Sequence, residues 1–165
     1  MKIAVFPGTF DPVTHGHFDI MCRASKIVDK LIIGIASSNR KNPIFSEDER
    51  MEMINQQIKN RPELKNVEVK IFHGLLVDFM KKEGAKINIR GLRVASDFTY
   101  EFQMSCINKK LDNDIETIFL AAIEENQFIS STFVKEVAAL GGDIKKFLPK
   151  EIAELLLKKM LLLNN

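Results

Sequence analysis

The chain has 165 residues, 45% of them hydrophobic and 28% charged, and carries a net charge of +2. That length suits one domain with a substantial core, and the near-balanced charge excludes a broad basic field for nucleic acid. With only 8 Gly and 5 Pro, collagenous and low-complexity classes are excluded too.

The first apolar run, "KIAVF" (2–6), meets Pro7 and Gly8 too soon for a signal peptide. Four later runs share its Ile- and Val-rich, weakly alternating character: "LIIGIAS" (31–37), "VEVKIF" (67–72), "KINIR" (86–90) and "IETIFLA" (115–121). Strands covered on both faces read this way. Helices are predicted between them. Thr14 is an N-cap for a helix through "HFDIMCRASKIV". Ser46 and Glu49 form a capping box for a helix that runs until near Pro62. Leu76 starts a helix in "LLVDFMKKEG", and Asp97 caps "DFTYEFQMSCINKKL". Gly141–Gly142 ends the helix that begins in "SSTFVKEVAAL". Pro149 opens the last helix, "KEIAELLLKKML", which Lys158 and Lys159 split well short of a membrane span. Cys22 and Cys106 lie far apart in helical patterns and read as reduced and buried, as in a cytoplasmic protein.

Strand and helix alternating five times implies right-handed crossovers. The expected fold is α/β: a single doubly wound domain over 1–165, with a five-stranded parallel sheet, helices on both faces and a C-terminal helical segment from about 149. Such sheets bind ligands past the carboxyl ends of their strands, where the strand order reverses. The segments following the strands bring Thr9, His17, Arg40, Lys41, Arg90, Arg93, Ser130, Ser131 and Thr132 to that end. Cations and hydroxyls gathered there point to a polyphosphate site.

The "HGH" at 15–17 has three readings. As a metal pair it would need further ligands, and only His73 remains, with no HExxH or Cys cluster. As a plain turn, Asp11-Pro12 and the Thr14 cap are explained, but His17 in the first helical turn is not. As a phosphate corner both are explained: helix N-terminal N–H groups favour anions, Gly8 and Gly16 leave room for phosphate oxygens, and His17 donates to one of them. Neither GxxxxGK[ST] nor GxGxxG is present, and the charge on His17 is not fixed by sequence.

"TFDPVTHGH" resembles the [T/H]xGH motif of the nucleotidylyltransferase superfamily, with Thr14, Gly16 and His17 in the motif positions. "ISSTFVK" (129–135) resembles its second element, ISSTxxK/R. Taken with "EDER", "GLLVDF", "IRGLR", "DFTYEFQM", "FISST", "VKEVA" and "FLP", in order over residues 3 to about 149, the chain resembles the bacterial phosphopantetheine adenylyltransferases. The resemblance implies a Rossmann-like nucleotidylyltransferase fold and transfer of AMP from ATP to 4′-phosphopantetheine, giving 3′-dephospho-coenzyme A and pyrophosphate. It implies His17 as transition-state stabiliser, with Lys41 and Arg90 beside it. The expected ATP contacts are Thr9, Phe10, His17, Gly91, Leu92, Arg93 and Glu101, together with Asn126, Gln127, Phe128, Ile129, Ser130, Ser131 and Thr132. The expected phosphopantetheine contacts are Thr9, Lys41, Leu76 and Arg90. Mg²⁺ is expected to arrive with ATP, held mainly by phosphates, with no protein-ligated metal. A homohexamer is implied, and coenzyme A is a candidate feedback ligand.

Each residue also has a plainer reading: Leu76 as core, Glu101 as an exposed helix residue, Arg90 paired with Asp97, Asp11 as a turn-former. "AAIEENQFISST" departs from the family, with Asn126 where an aromatic is frequent. Rival functions are a nucleotidylyltransferase with another phosphorylated acceptor, a nucleotide-binding module without turnover, and a metal hydrolase.

Overall fold

Five strands form one sheet in the computed structural model, which describes residues 1–37 and 42–163. They are β1 (Ile3–Gly8), β2 (Lys30–Ala36), β3 (Val67–Phe72), β4 (Ile87–Leu92) and β5 (Glu116–Ala121), all parallel in the order β3-β2-β1-β4-β5. The helices are α1 (His15–Ala24), α2 (Glu47–Lys59), α3 (Leu76–Lys82), α4 (Ala95–Leu111), α5 (Ser131–Ala139) and α6 (Lys150–Leu163). Short 3₁₀ turns lie at Pro62–Leu64 and Glu124–Asn126. The expected doubly wound α/β architecture is the one observed.

Strand order reverses between β1 and β4, and there the ladder is brief. Their register holds only Ala4↔Ile87 and Val5↔Asn88, whereas β1 and β2 pair over six residues. Pro7 has no N–H to donate to the β4 side, so the ladder lapses as it reaches the loops. The Arg90 guanidinium fills the gap, its Nη1 donating to the Pro7 carbonyl at 2.6 Å. A crevice opens at that point.

Alternation along the strands sends side chains to two unequal cores. Ala4, Phe6, Leu31, Ile33, Ile35 and Ile89 face the larger one, covered by α1, α2, α5 and α6 through residues such as Met21, Ile54, Val134 and Leu156. Val5, Ile32 and Ile115 face the smaller, covered mainly by Val77, Phe79 and Met80 of α3, with the Phe72 and Phe79 rings stacked at 4.7 Å. Of α4 only Asn108 is buried, while Phe98, Tyr100, Phe102, Ile107 and Leu111 are exposed.

The capping chemistry holds with small revisions. Ser46 and Glu49 exchange their hydrogen bonds at 3.2 and 2.7 Å. Gly141 takes the left-handed φ of +77° that closes α5, and the Gly142 N–H reaches the Val137 carbonyl at 2.8 Å. Asp97 does not cap α4; the helix starts two residues earlier, and the Asp97 carboxylate accepts the Arg93 N–H from within its first turn. Pro149 precedes α6 rather than opening it, its carbonyl accepting the Ala153 N–H at 2.9 Å. Contrary to the expected burial, Cys106 is exposed because α4 turns most of its surface outward, and Cys22 on α1 is half-buried at the margin of the larger core.

Candidate active site

A cleft of about 900 Å³ lies over the carboxyl ends of β1 and β4. Its walls are the β1–α1 loop, the first turn of α1, one face of α4 and the segment entering α5.

His17 is held from below. As the third residue of α1 it completes a capping box with Thr14: the Thr14 backbone N–H donates to Nδ1 at 3.0 Å, and the Thr14 hydroxyl oxygen accepts the His17 N–H at 3.4 Å. A ring nitrogen that accepts a backbone N–H carries no proton, so the proton of the neutral ring resides on Nε2. Burial, then the charges of Arg93 and Arg90, push the imidazole pKa down to about 4. In the free protein the ring is thus an uncharged Nε2–H donor at neutral pH.

Phe10 backs the imidazole, its ring edge-on at 5.0 Å and itself 2% exposed. Its φ of +51° is unusual for a residue with a side chain and costs on the order of 1 kcal/mol. A Cβ on Gly8 would stand 2.8 Å from the Phe10 ring, so Gly8 makes room for that ring, where the sequence pointed to a phosphate. What Phe10 offers a nucleotide is therefore not an open stacking face.

The loop is pinned by two buried ionic groups that sequence reasoning missed or undervalued. Asp11 accepts the Ile44 and Phe45 N–H groups at 3.0 and 2.9 Å and pairs with Lys135 of α5 at 2.7 Å. Arg50 of α2 is 1% exposed and donates to the Thr9, Ala36 and Phe45 carbonyls at 2.7, 3.2 and 3.1 Å. One guanidinium thereby ties the site loop to the end of β2.

Arg90 lies under α4, clasped by Glu101 through two bonds of 2.7 and 2.6 Å. Glu101 is thus neither a plain surface residue nor a free contact, and Arg90 pairs with it rather than with Asp97. Asp97 instead holds Arg93 at 3.1 Å. Ser130 caps α5, accepting the Phe133 N–H at 3.1 Å, and the Ser131 hydroxyl donates to the Pro12 carbonyl at 2.8 Å. The N-termini of α1 and α5 therefore converge on one cleft, a favourable setting for anions.

Of the predicted contacts, Thr9, Phe10, His17, Leu76, Arg90, Gly91, Arg93, Glu101, Asn126, Ile129, Ser130, Ser131 and Thr132 all line this cleft. Leu92, Gln127 and Phe128 do not, and Phe128 is 77% exposed. Lys41 and Arg40 fall outside the described residues. Asn88, Tyr100, Met104, Ser105 and Asn108 line the cleft without having been singled out. On α4 the signal was present: 97, 100, 101, 104, 105 and 108 follow the spacing of one helical face.

The "HGH" divides. His15 faces away from the cleft, towards Arg61 and the Phe147–Leu148 backbone, and its pKa is lowered chiefly by burial. His73 is exposed, 3.9 Å from Glu47. Among the described residues no three His, Cys, Asp or Glu side chains are grouped to hold a metal.

This fold and site define a nucleotide-handling α/β transferase, and residues 5–137 match the family model described as Cytidylyltransferase-like. The chain is 50% identical to a phosphopantetheine adenylyltransferase of Clostridium tetani, over 96% of this chain and 98% of that one. A phosphopantetheine adenylyltransferase of Caulobacter sp. is 48% identical over 97% and 99%. The fold matches Plasmodium falciparum nicotinic acid mononucleotide adenylyltransferase complexed with NaAD, with a TM-score of 0.73 at 16% identity over 99% and 96% of the two chains. The chain belongs to the phosphopantetheine adenylyltransferase family within the cytidylyltransferase-like proteins.

Proposed function

We infer that this protein transfers AMP from ATP to 4′-phosphopantetheine, giving 3′-dephospho-coenzyme A and pyrophosphate. The observation that carries the mechanism is the locked imidazole: a neutral Nε2–H donor, its other nitrogen occupied by Thr14, at the meeting point of two helix N-termini. Such a ring is a poor base, and the reaction needs none. The acceptor phosphate is already largely a dianion at neutral pH, its second pKa lying near ~6. One of its oxygens attacks the α-phosphorus in line, and the bond from that phosphorus to the pyrophosphate oxygen breaks. The protein's contribution is to align two anions and neutralise the charge that develops. His17 donates to an α-phosphate oxygen, and the α5 N-terminus with Ser130 and Ser131 receives the departing pyrophosphate. Arg90 and Thr9 orient the acceptor phosphate, with Lys41 assigned beside them by family resemblance.

The carboxylates of this cleft are already engaged. Asp11 serves two N–H groups and Lys135, Glu101 serves Arg90, and Asp97 serves Arg93. A divalent ion delivered with ATP is therefore assigned to the nucleotide's phosphates, where it would supply charge neutralisation. We also propose self-association, a hexamer by family resemblance, through the exposed aromatic surface of α4, and coenzyme A as a feedback ligand of the acceptor end. No helix among the described residues is long and apolar enough to cross a membrane, and a cytoplasmic location is proposed.

The test is pyrophosphate release from Mg-ATP. Release that requires 4′-phosphopantetheine supports the reading; ATP binding with no acceptor-dependent release overturns it and favours the binding module. Release with another phosphorylated acceptor alone would replace the named acceptor.

A further inference from the structure

Below Arg90, the floor of the cleft holds a polar group without a partner. Asn88 of β4 is 2% exposed and lines the cleft, yet its Oδ1 has no hydrogen-bond partner. Its Nδ2 donates to the Thr117 hydroxyl on β5 at 3.2 Å, and the two residues stand directly opposite in the ladder. The Thr117 hydroxyl can serve either end of the amide, so one amide atom stays unpartnered whichever way it is turned.

An orphaned acceptor of this kind destabilises a folded protein, a penalty that a ligand donor removes. Position decides which ligand. Strand parity puts Asn88 and Arg90 on the same face of β4, about 7 Å apart at the usual rise per residue. Helix α4 runs back over this strand, so Glu101 stands at Arg90 and Asn108, also buried, further along the same groove. Leu76 of α3 borders it. The groove thus leads from a phosphate-orienting arginine inward, past Leu76 and Met104, to a carboxamide. An elongated acceptor, phosphorylated at one end and bearing amide N–H groups along its arm, matches that sequence of chemistries.

We propose that Asn88 is a specificity-determining residue whose unpartnered amide oxygen accepts a hydrogen bond from an amide N–H of the acceptor's arm. The inference rests on the acceptor assigned above. A site built around a buried hydrogen bond rejects analogues lacking the donor far more strongly than an apolar groove does.

The experiment compares wild type with Asn88→Leu and Asn88→Ser on 4′-phosphopantetheine and on two analogues, each with one amide N–H replaced by an ester oxygen. Wild type should lose about tenfold or more in kcat/KM on one of the two esters. Both variants should lose a similar factor on the amide acceptor and nothing further on that ester, while KM for ATP moves by less than about twofold. Should neither variant fold, the wild-type preference for amide over ester carries the test alone. Equal turnover of all three acceptors by wild type overturns the proposal, as it would if a water satisfied Asn88. Variant and ester losses that simply multiply overturn it as well. Absence of any wild-type turnover on 4′-phosphopantetheine would overturn the functional reading itself, a distinguishable result.

Discussion

The two faces of the sheet are built to different ends. One is closed by four helices over Ile, Leu, Phe and Met side chains, and the buried Arg50 spends its bonds on backbone carbonyls. The other is closed over β2 and β3 by α3 alone, while over β4 it carries a polar groove beneath α4. The first face fixes the backbone that presents Thr9 and His17. The second leaves room for something to bind. Substitutions on the first should therefore read out as stability, and those lining the second as activity.

Arg50→Met is the harshest test of the first half of that statement. It strands the Thr9, Ala36 and Phe45 carbonyls, and the expected loss is about 3 kcal/mol or more in chemical denaturation. Turnover should fall too, since the Thr9 carbonyl loses its tether. His17→Ala should do the reverse, lowering kcat about 10²–10³-fold with the melting temperature nearly kept. If it instead melted the fold and spared turnover, the division between the two regions would collapse.

The imidazole also makes stability depend on pH. Its folded pKa lies near 4 against an ordinary 6.5, so between those values the unfolded chain binds the proton and the native chain does not. Stability should fall as pH drops through that window and level off below it. The slope of denaturation free energy against pH should shrink in His17→Ala; an unchanged slope would mean the imidazole pKa is not depressed as described. Smallest is Ser130→Ala, which removes the α5 cap and should cost about 1 kcal/mol in thermal unfolding.

The covered face was legible because its residues obey periods. Runs such as "LIIGIAS" and caps such as Ser46–Glu49 act locally, so their partners lie within a few positions. The convergence of Thr9, His17, Arg90 and Ser130 was legible from topology, since Thr9, His17 and Ser130 lie in segments that follow strands and Arg90 stands near the carboxyl end of β4. What escaped depends on long-range pairing. Nothing near Arg50 in sequence announces that it reaches Thr9, forty-one positions away. Nor does "KINIR" mark Asn88 as a residue left with a buried, unpartnered acceptor, or reveal that Glu101 would claim Arg90. The α4 stripe was readable in principle, but its polar members sit among aromatics that point elsewhere, and the amphipathic signal nearly cancels.

The central claim is that His17 works as a neutral donor fixed by Thr14. Long-range ¹H–¹⁵N correlation of the histidine ring at pH 7 tests it most directly. The expected spectrum shows a protonated Nε2 and a bare Nδ1, converting to imidazolium only near pH 4. A protonated Nδ1 at pH 7, or an imidazolium already formed there, would contradict it.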